Sequence, residues 1–169
     1  NHLKLAHLIW KDHLKPGMRV IDATAGNGYD TLFLAQIALT KNSGWIYAFD
    51  IQLKAIHQTH LLLKNKLNKP IQDRVSLFHA SHETFPKNLQ NIDLIVYNLG
   101  YLPGSNKTIT TLSNITLKSC KEALARLSEC GLLSIMMYPG HSEGIRESSL
   151  LMDWLKTLSQ KHYQISLHA

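Results

Sequence analysis

The residues best placed to do chemistry lie together near the start of the chain, in Asp22-Ala23-Thr24-Ala25-Gly26-Asn27-Gly28-Tyr29-Asp30-Thr31. Gly26 and Gly28 permit positive φ and let a ligand approach the backbone without a Cβ in the way. Val20-Ile21 before them reads as the end of a buried strand. Asp30-Thr31 after them opens a helix with Leu32, Phe33, Ala35, Gln36 and Leu39 at helical spacing, Gln36 being the one polar exception. A strand, a glycine turn and a helix N-terminus make a nucleotide-cofactor site. A dinucleotide fingerprint requires a third small residue for close helix–strand packing, and Thr31 stands there instead. Carboxylates at Asp22 and Asp30 flank the turn, where they would repel a pyrophosphate and suit a cationic, hydroxyl-rich ligand. Asp50 follows at roughly 20 residues, the spacing at which an acid reaches ribose hydroxyls. S-adenosylmethionine, with an ammonium, a sulfonium and no phosphate, fits this turn ahead of NAD.

The elements that must position these residues alternate between strand and helix. Leu3, Leu5, Ala6, Leu8, Ile9 and Leu14 give a first helix, stopped by Lys15-Pro16-Gly17. A strand over 18–23, the glycine turn and a helix to about Leu39 follow. Trp45 to Phe49 forms a second strand ending on Asp50, and a helix runs from about Gln52 to Leu67, where Asn68-Lys69-Pro70 breaks it. Val75 to His79 is the third strand. Ile92 to Asn98 is the fourth, an almost continuous apolar run as in a buried parallel strand. Leu99 to Lys107 is a loop too long and irregular for a plain connector. A helix from about Ser113 to Ser128, a fifth strand over 132–138, a helix from about Gly144 to Leu158 and a sixth strand over 163–168 complete the pattern. Alternation of this kind predicts an α/β fold, a mostly parallel sheet with helices on both faces, organised as a single domain over 1–169.

In such a sheet ligands bind beyond the carboxyl ends of the strands. Asp22 to Asp30, Asp50-Ile51-Gln52, Ala80-Ser81-His82, Asn98 to Lys107 and Tyr138 to His141 all follow strand ends, so they converge on one rim. Each has a plainer reading beside the functional one. Asp50 can cap the helix that starts near Gln52. Ser81 and His82 can close a turn instead of meeting an adenine. Tyr101, Tyr138 and His141 can be ordinary rim residues. The ten histidines include His57 and His60 at i, i+3, with no third ligand of fitting spacing, so no metal site is expected.

Composition sets wider bounds. Hydrophobic content of 44% and charged content of 18% are those of a globular domain able to build a core. Cys120 and Cys130 read as structural thiols in a helix and its exit, in keeping with a reducing, cytoplasmic setting. No apolar run approaches the ~20 residues of a membrane span. Asn1 is not a start methionine, so a preceding segment is expected. A net charge of +6 makes a polyanionic partner plausible.

Two motifs, D-A-T-A-G-N-G-x-D-T from Asp22 and N-L-G-Y-L-P-G from Asn98, together with Phe49-Asp50-Ile51-Gln52, Ala55-Ile56 and Ser81-His82, resemble the "putative rRNA methylase" family over essentially the whole chain. The resemblance implies a Rossmann-like class I methyltransferase using S-adenosyl-L-methionine. It also implies tRNA modification: methylation of the amino group of 5-aminomethyl-2-thiouridine at the wobble position. The family continues into a final strand carrying Asn and Pro-Pro, which this sequence does not contain.

On this basis Asp22, Gly26, Asn27, Gly28, Asp30, Thr31, Asp50, Gln52, Ser81, His82, Asn98, Leu99 and Gly100 are the expected cofactor residues. Asn98 and the Leu99-Gly100 backbone stand at the cofactor–amine junction, Tyr101 orients the substrate base, and His141 is the candidate proton acceptor. Tyr101, Leu102, Pro103, Lys107, Tyr138 and Arg146 are the expected substrate side, facing a tRNA anticodon stem-loop. The rest of that RNA footprint falls to a second subunit, as in a homodimer, or to segments beyond the termini. Lys15, Arg19, Lys41, Lys69, Arg74 and Lys87 lead into strands and so lie on the opposite rim, which keeps the net charge from marking the substrate surface. Rival readings are a small-molecule amine or oxygen methyltransferase, an rRNA methyltransferase, a cofactor-binding module without activity and an NAD-dependent oxidoreductase.

Overall fold

The apolar runs around the glycine turn become the centre of one sheet. In the computed structural model, which describes residues 2–100, 113–140 and 142–168, strand β1 (Arg19–Asp22) lies between β2 (Trp45–Asp50) and β4 (Ile92–Asn98). Strands β3 (Val75–His79) and β5 (Leu127–Met136) complete the order β3-β2-β1-β4-β5, and every pairing is parallel. Ile21 pairs with Tyr47 on one side and Ile95 on the other.

Alternate residues of the central strands bury themselves on opposite faces. Val20, Ile46, Leu94 and Val96 pack with Trp10 of α1 (His2–His13) and with Leu34, Ala35 and Ala38 of α2 (Tyr29–Ala38). Ile21, Phe49, Ile95 and Tyr97 pack with Cys120 and Ala123 of α5 (Ser113–Leu124) and with Leu151 and Trp154 of α6 (Ser142–Thr157). Burial on both faces is why these strands read as unbroken apolar runs. The chain builds outward from β1 to β2 and β3, then returns to place β4 on the other side of β1. That reversal opens a crevice between the carboxyl ends of β1 and β4. Among the described residues no helix is long and apolar enough to cross a membrane.

The break after the third helix holds and gains an element, and two expectations need correction. The break after α3 (Leu53–Lys66) contains a short helix, α4 (Lys69–Gln72), because Asn68 Oδ1 accepts from the Ile71 N–H and Pro70 suits a first turn. Helix α5 stops at Leu124 and β5 starts at Leu127, ahead of Leu132, so Cys130 sits on the strand and not at a helix exit. The cause is Arg126, whose buried guanidinium bonds the carbonyls of Phe85, Pro86 and Leu89 and the Glu122 carboxylate, drawing the chain back to the sheet. The register then shifts between Ile92 and Leu94, with Cys130 at φ 64°. Residues 163–168 form no strand and are exposed. Tyr163, Ile165 and Leu167 alternate as in a half-buried strand, but a strand needs a neighbour's backbone groups, and β5 ends the described sheet.

Helix α3 packs directly against the glycine turn. Thr59 Oγ1 donates to Gly26 O at 3.1 Å, and a Cβ on Gly28 would lie 2.8 Å from Thr59 Cα. Gly28 also has φ of +85°, which disfavours any L side chain. Gly28→Ala should therefore lose about 2–4 kcal/mol of stability from left-handed strain plus overpacking. Chemical denaturation checks this; an undiminished midpoint would show that α3 withdraws from the turn at no cost.

Candidate cofactor and active site

The crevice is tied together by side chains of the first motif. Thr31 Oγ1 donates to Asp22 Oδ2 at 2.6 Å, and the Thr24 N–H donates to Asp22 Oδ1 at 3.1 Å. Asp22 is 1% exposed, and its carboxyl is pushed up to about 7. Burial is the main cause, reinforced by the negative charges of Asp30 and Asp50 and opposed by the bonds from Thr31 and Thr24. Asp22 and Thr31 thus brace the turn from beneath. Gly26 and Gly28, with φ of 56° and 85°, carry the turn around the half-buried Asn27, with Gly28 buried against Thr59.

Asp50, at the end of β2, joins the turn to α3. Its Oδ2 accepts from the Gly26 N–H at 2.9 Å and its Oδ1 from the Gln52 N–H at 2.8 Å. The carboxylate is half-buried at the rim, so it braces the turn, starts α3 and stands beside the crevice at once. Gln52 is the N-cap residue of α3, with no capping bond from its side chain.

Across the crevice, Thr24 Oγ1 accepts from the Asn98 N–H at 2.8 Å, locking the end of β4 onto the glycine turn. Asn98 Nδ2 donates to Asp30 Oδ2 at 3.0 Å. The other oxygen of Asp30 meets His7 Nε2 of α1 at 2.8 Å. Leu99 is buried and donates its N–H to Met136 O, while Gly100 is exposed beside Tyr138. Burial first, then the charge of Asp30, raises the Tyr138 phenol, which places that ring near the same carboxylate. The ring of His2 meets Tyr138 edge-on at 5.1 Å.

The turn after β3 is built differently. Ser81 Oγ accepts from the Glu83 N–H, so it closes a local turn. His82 is 6% exposed, packs edge-on against Tyr97 at 5.4 Å, and has no hydrogen-bond partner at either ring nitrogen among the described residues. Burial drops its pKa to about 4, so the ring is neutral. Ser119 holds this turn by donating to His82 O at 2.5 Å, and the Tyr97 hydroxyl lies 2.6 Å from Ser119 Oγ.

The structure therefore gathers Gly26, Asn27, Gly28, Asp30, Asp50, Asn98, Gly100 and Tyr138 around the β1/β4 crevice. Arg146 lies exposed on α6. Tyr101, Leu102, Pro103, Lys107 and His141 lie outside the described residues. The sequence reading missed Thr24, Thr59 and His7. Thr24 was visible inside the motif, and Thr59 lies one helical turn beyond the inward Ala55 and Ile56. His7 offered no signal beyond a polar residue one turn before the buried Trp10. Among the described residues no group of three or more His, Cys, Asp or Glu is placed to hold a metal ion.

Comparison with known proteins gives this crevice its family. The model of the family described as "Putative rRNA methylase" matches residues 46–169. The chain belongs to that family. A structure titled a putative rRNA-methylase from Clostridium thermocellum shares 33% identity at a TM-score of 0.88, covering 95% of this chain and 84% of its own. A Streptococcus mutans structure, titled a putative methyltransferase in complex with SAH, shares 33% identity at a TM-score of 0.84, covering 99% and 88%. The Arabidopsis thaliana protein named "tRNA (mnm(5)s(2)U34)-methyltransferase, chloroplastic" is 39% identical over 151 residues, which are 85% of this chain but 55% of that protein. The fold of this rRNA-methylase family member is the Rossmann-like class I methyltransferase fold, with five described strands, all parallel.

Two buried groups make opposite demands on pH. Asp22 titrates near 7 folded and near 4 unfolded, so its contribution is full below about pH 4 and is lost as pH rises towards 7. His82 titrates near 4 folded and near 6.5 unfolded, so its contribution rises with pH across that window. Asp22→Asn removes only the first. The stability of the variant minus that of the wild type should climb steadily from pH 4 to 7 in parallel denaturation series. A difference independent of pH would mean that Asp22 titrates alike in both states.

Proposed function

We propose that this chain is an S-adenosylmethionine-dependent N-methyltransferase that acts on tRNA, converting 5-aminomethyl-2-thiouridine at the wobble position to its 5-methylaminomethyl form. The observation that carries the reading is the attachment of Asn98 to the glycine turn, by its backbone to Thr24 and by its amide to Asp30. An amide side chain is thereby fixed where a cofactor site and a substrate loop meet. The tRNA part is supported by the Arabidopsis relative, named for a tRNA methyltransferase, and by the family's description, which names RNA.

The residues present suit S-adenosylmethionine on grounds of their own chemistry. The turn offers backbone approach at Gly26, with carboxylates for an ammonium and for ribose hydroxyls at Asp30 and Asp50, and the segment after β3 adds the neutral imidazole of His82, whose two nitrogens have no partner among the described residues. Asn27, Gln52, Ser81, Leu99 and Gly100 line the same rim. When bound, the cofactor supplies an electrophilic methyl on a sulfonium. The work of the chain is then positioning: Asn98 receives an N–H of the neutral amine and turns its lone pair towards the reacting carbon. Tyr101 orients the base. His141 takes the proton released as the secondary amine forms, a role suited to an imidazole near neutral pH. Leu102, Pro103, Lys107, Tyr138 and Arg146 face the anticodon stem-loop, and a second subunit of a homodimer extends that surface.

Asp50→Ala should weaken S-adenosylmethionine binding by about 1.5–3 kcal/mol, the range for a charge-assisted hydrogen bond, as read by calorimetry. Unchanged affinity in a folded variant would leave Asp50 as a brace for the turn alone. The function itself is tested by nucleoside mass spectrometry of RNA from cells lacking the protein. We expect the 5-aminomethyl nucleoside to accumulate in tRNA. Intact tRNA with a methyl missing from rRNA would overturn the substrate, and no change in either RNA would point to a small-molecule amine.

A further inference from the structure

We infer that His7 of α1 is a positioning residue for methyl transfer: acting through Asp30, it selects which end of the Asn98 amide faces the reacting nitrogen. The inference rests on the reading of Asn98 above. His7 Nε2 lies 2.8 Å from Asp30 Oδ1, and Asn98 Nδ2 lies 3.0 Å from Asp30 Oδ2, so one carboxylate is held at both oxygens. Facing a carboxylate oxygen, Nε2 is the nitrogen that carries the proton. The imidazole is itself fixed, stacked on Phe33 of α2 with centroids 4.0 Å apart and planes 11° apart, and tilted against Trp10 at 5.1 Å. Its side chain is 26% exposed and that of Asp30 is 11% exposed, so the pair sits largely shielded from water.

The chemistry follows from the two ends of an amide. With Asp30 oriented, Asn98 donates Nδ2–H to it, because the half-turned amide would set its carbonyl oxygen against a carboxylate oxygen. The carbonyl is then the end turned away from Asp30. A neutral primary amine has two N–H donors and one lone pair. A carbonyl acceptor takes an N–H and leaves the lone pair for the methyl, whereas an amide NH2 in that place would donate to the lone pair and block attack. The flip state of one side chain therefore separates a productive from an inhibited site.

Packing α1 on the sheet does not explain the bond. Trp10 is fully buried and donates Nε1–H to Ser134 Oγ at 2.9 Å, and His13 Nε2 lies 2.8 Å from Asp93 O. The helix is thus anchored at two points apart from His7.

The test compares His7→Phe, which keeps the stacked ring and deletes the donor, with His7→Gln, which keeps a donor. We expect His7→Phe to stay folded, with a modest fall in unfolding temperature from the lost bond to Asp30. Its kcat for methyl transfer should fall about 10- to 100-fold, with KM for S-adenosylmethionine and tRNA nearly unchanged, and His7→Gln should recover much of the loss. A substrate-free readout runs in parallel. The side-chain NH2 resonances of Asn98, assigned with Asn98→Asp, should move in both His7→Phe and Asp30→Asn and return towards wild type in His7→Gln. Unchanged resonances, an unchanged kcat, or a loss confined to cofactor affinity would each overturn the inference. Because the resonances need no substrate, a wild-type protein inactive on tRNA would sink the proposed function and still leave the coupling between His7 and Asn98 decided by them.

Discussion

The bond between Thr31 and Asp22 is the constraint on which the rest of the site depends. It joins the end of β1 to the start of α2 across nine positions and does so in a buried environment. An ionised carboxylate there would be costly, and the protein answers with a carboxyl raised to about 7 and with donors from Thr31 and Thr24. Because the strand end and the helix start are pinned, the residues between them must double back in a tight turn. Gly26 and Gly28 absorb that turn at positive φ. Thr24 is left facing β4, where it takes the Asn98 N–H. The crevice is therefore set by one buried contact and not by the loops that line it.

The electrostatics of the crevice follow from the same geometry. Asp30 and Asp50 both act to raise Asp22, so three carboxylates share one small region. All three are held by donors, Asp22 by Thr31 and Thr24, Asp30 by Asn98 and His7, and Asp50 by the Gly26 and Gln52 N–H groups. A cationic ligand offsets their mutual repulsion, whereas a phosphate would add to it. The buried carboxyl of Asp22 is then linked to ligand charge. A cation bound above the turn favours its ionised form, so binding and proton release are coupled in the range near its titration.

Much of this was legible in the residues themselves. The parallel sheet, the glycine turn and the rim to which Asp50 and Asn98 belong follow from alternating apolar runs and from the strand-end rule. What escaped was long-range. His7 meets Asp30 across 23 positions and Asn98 meets Thr24 across 74, and no local period encodes either contact. Nothing local marks Arg126 as buried, yet it ends α5 early by gathering carbonyls from residues about 40 positions away. The expected sixth strand shows the converse error. Its alternation is real, but pairing belongs to two segments, and a pattern in one of them cannot supply the other.

The distribution of positive charge shows why composition is a poor guide to where charge is free to act. Arg19 donates to Gln90 O and to the Tyr47 hydroxyl, with its guanidinium over the Tyr47 ring. Arg74 donates to the carbonyls of Lys41 and Gly44 and lies over Trp45. Both sit where strands begin, at the rim opposite the crevice, and both spend their donors on holding loops to the sheet. Arg126 does the same from inside. Three of the four arginines are thus structural, and Arg146, exposed on α6, is the one these contacts leave to the solvent. A guanidinium offers a planar fork suited to phosphate. With three forks turned inward to the chain's own oxygens, most of the guanidinium charge counted in the net charge of +6 is already engaged within the fold.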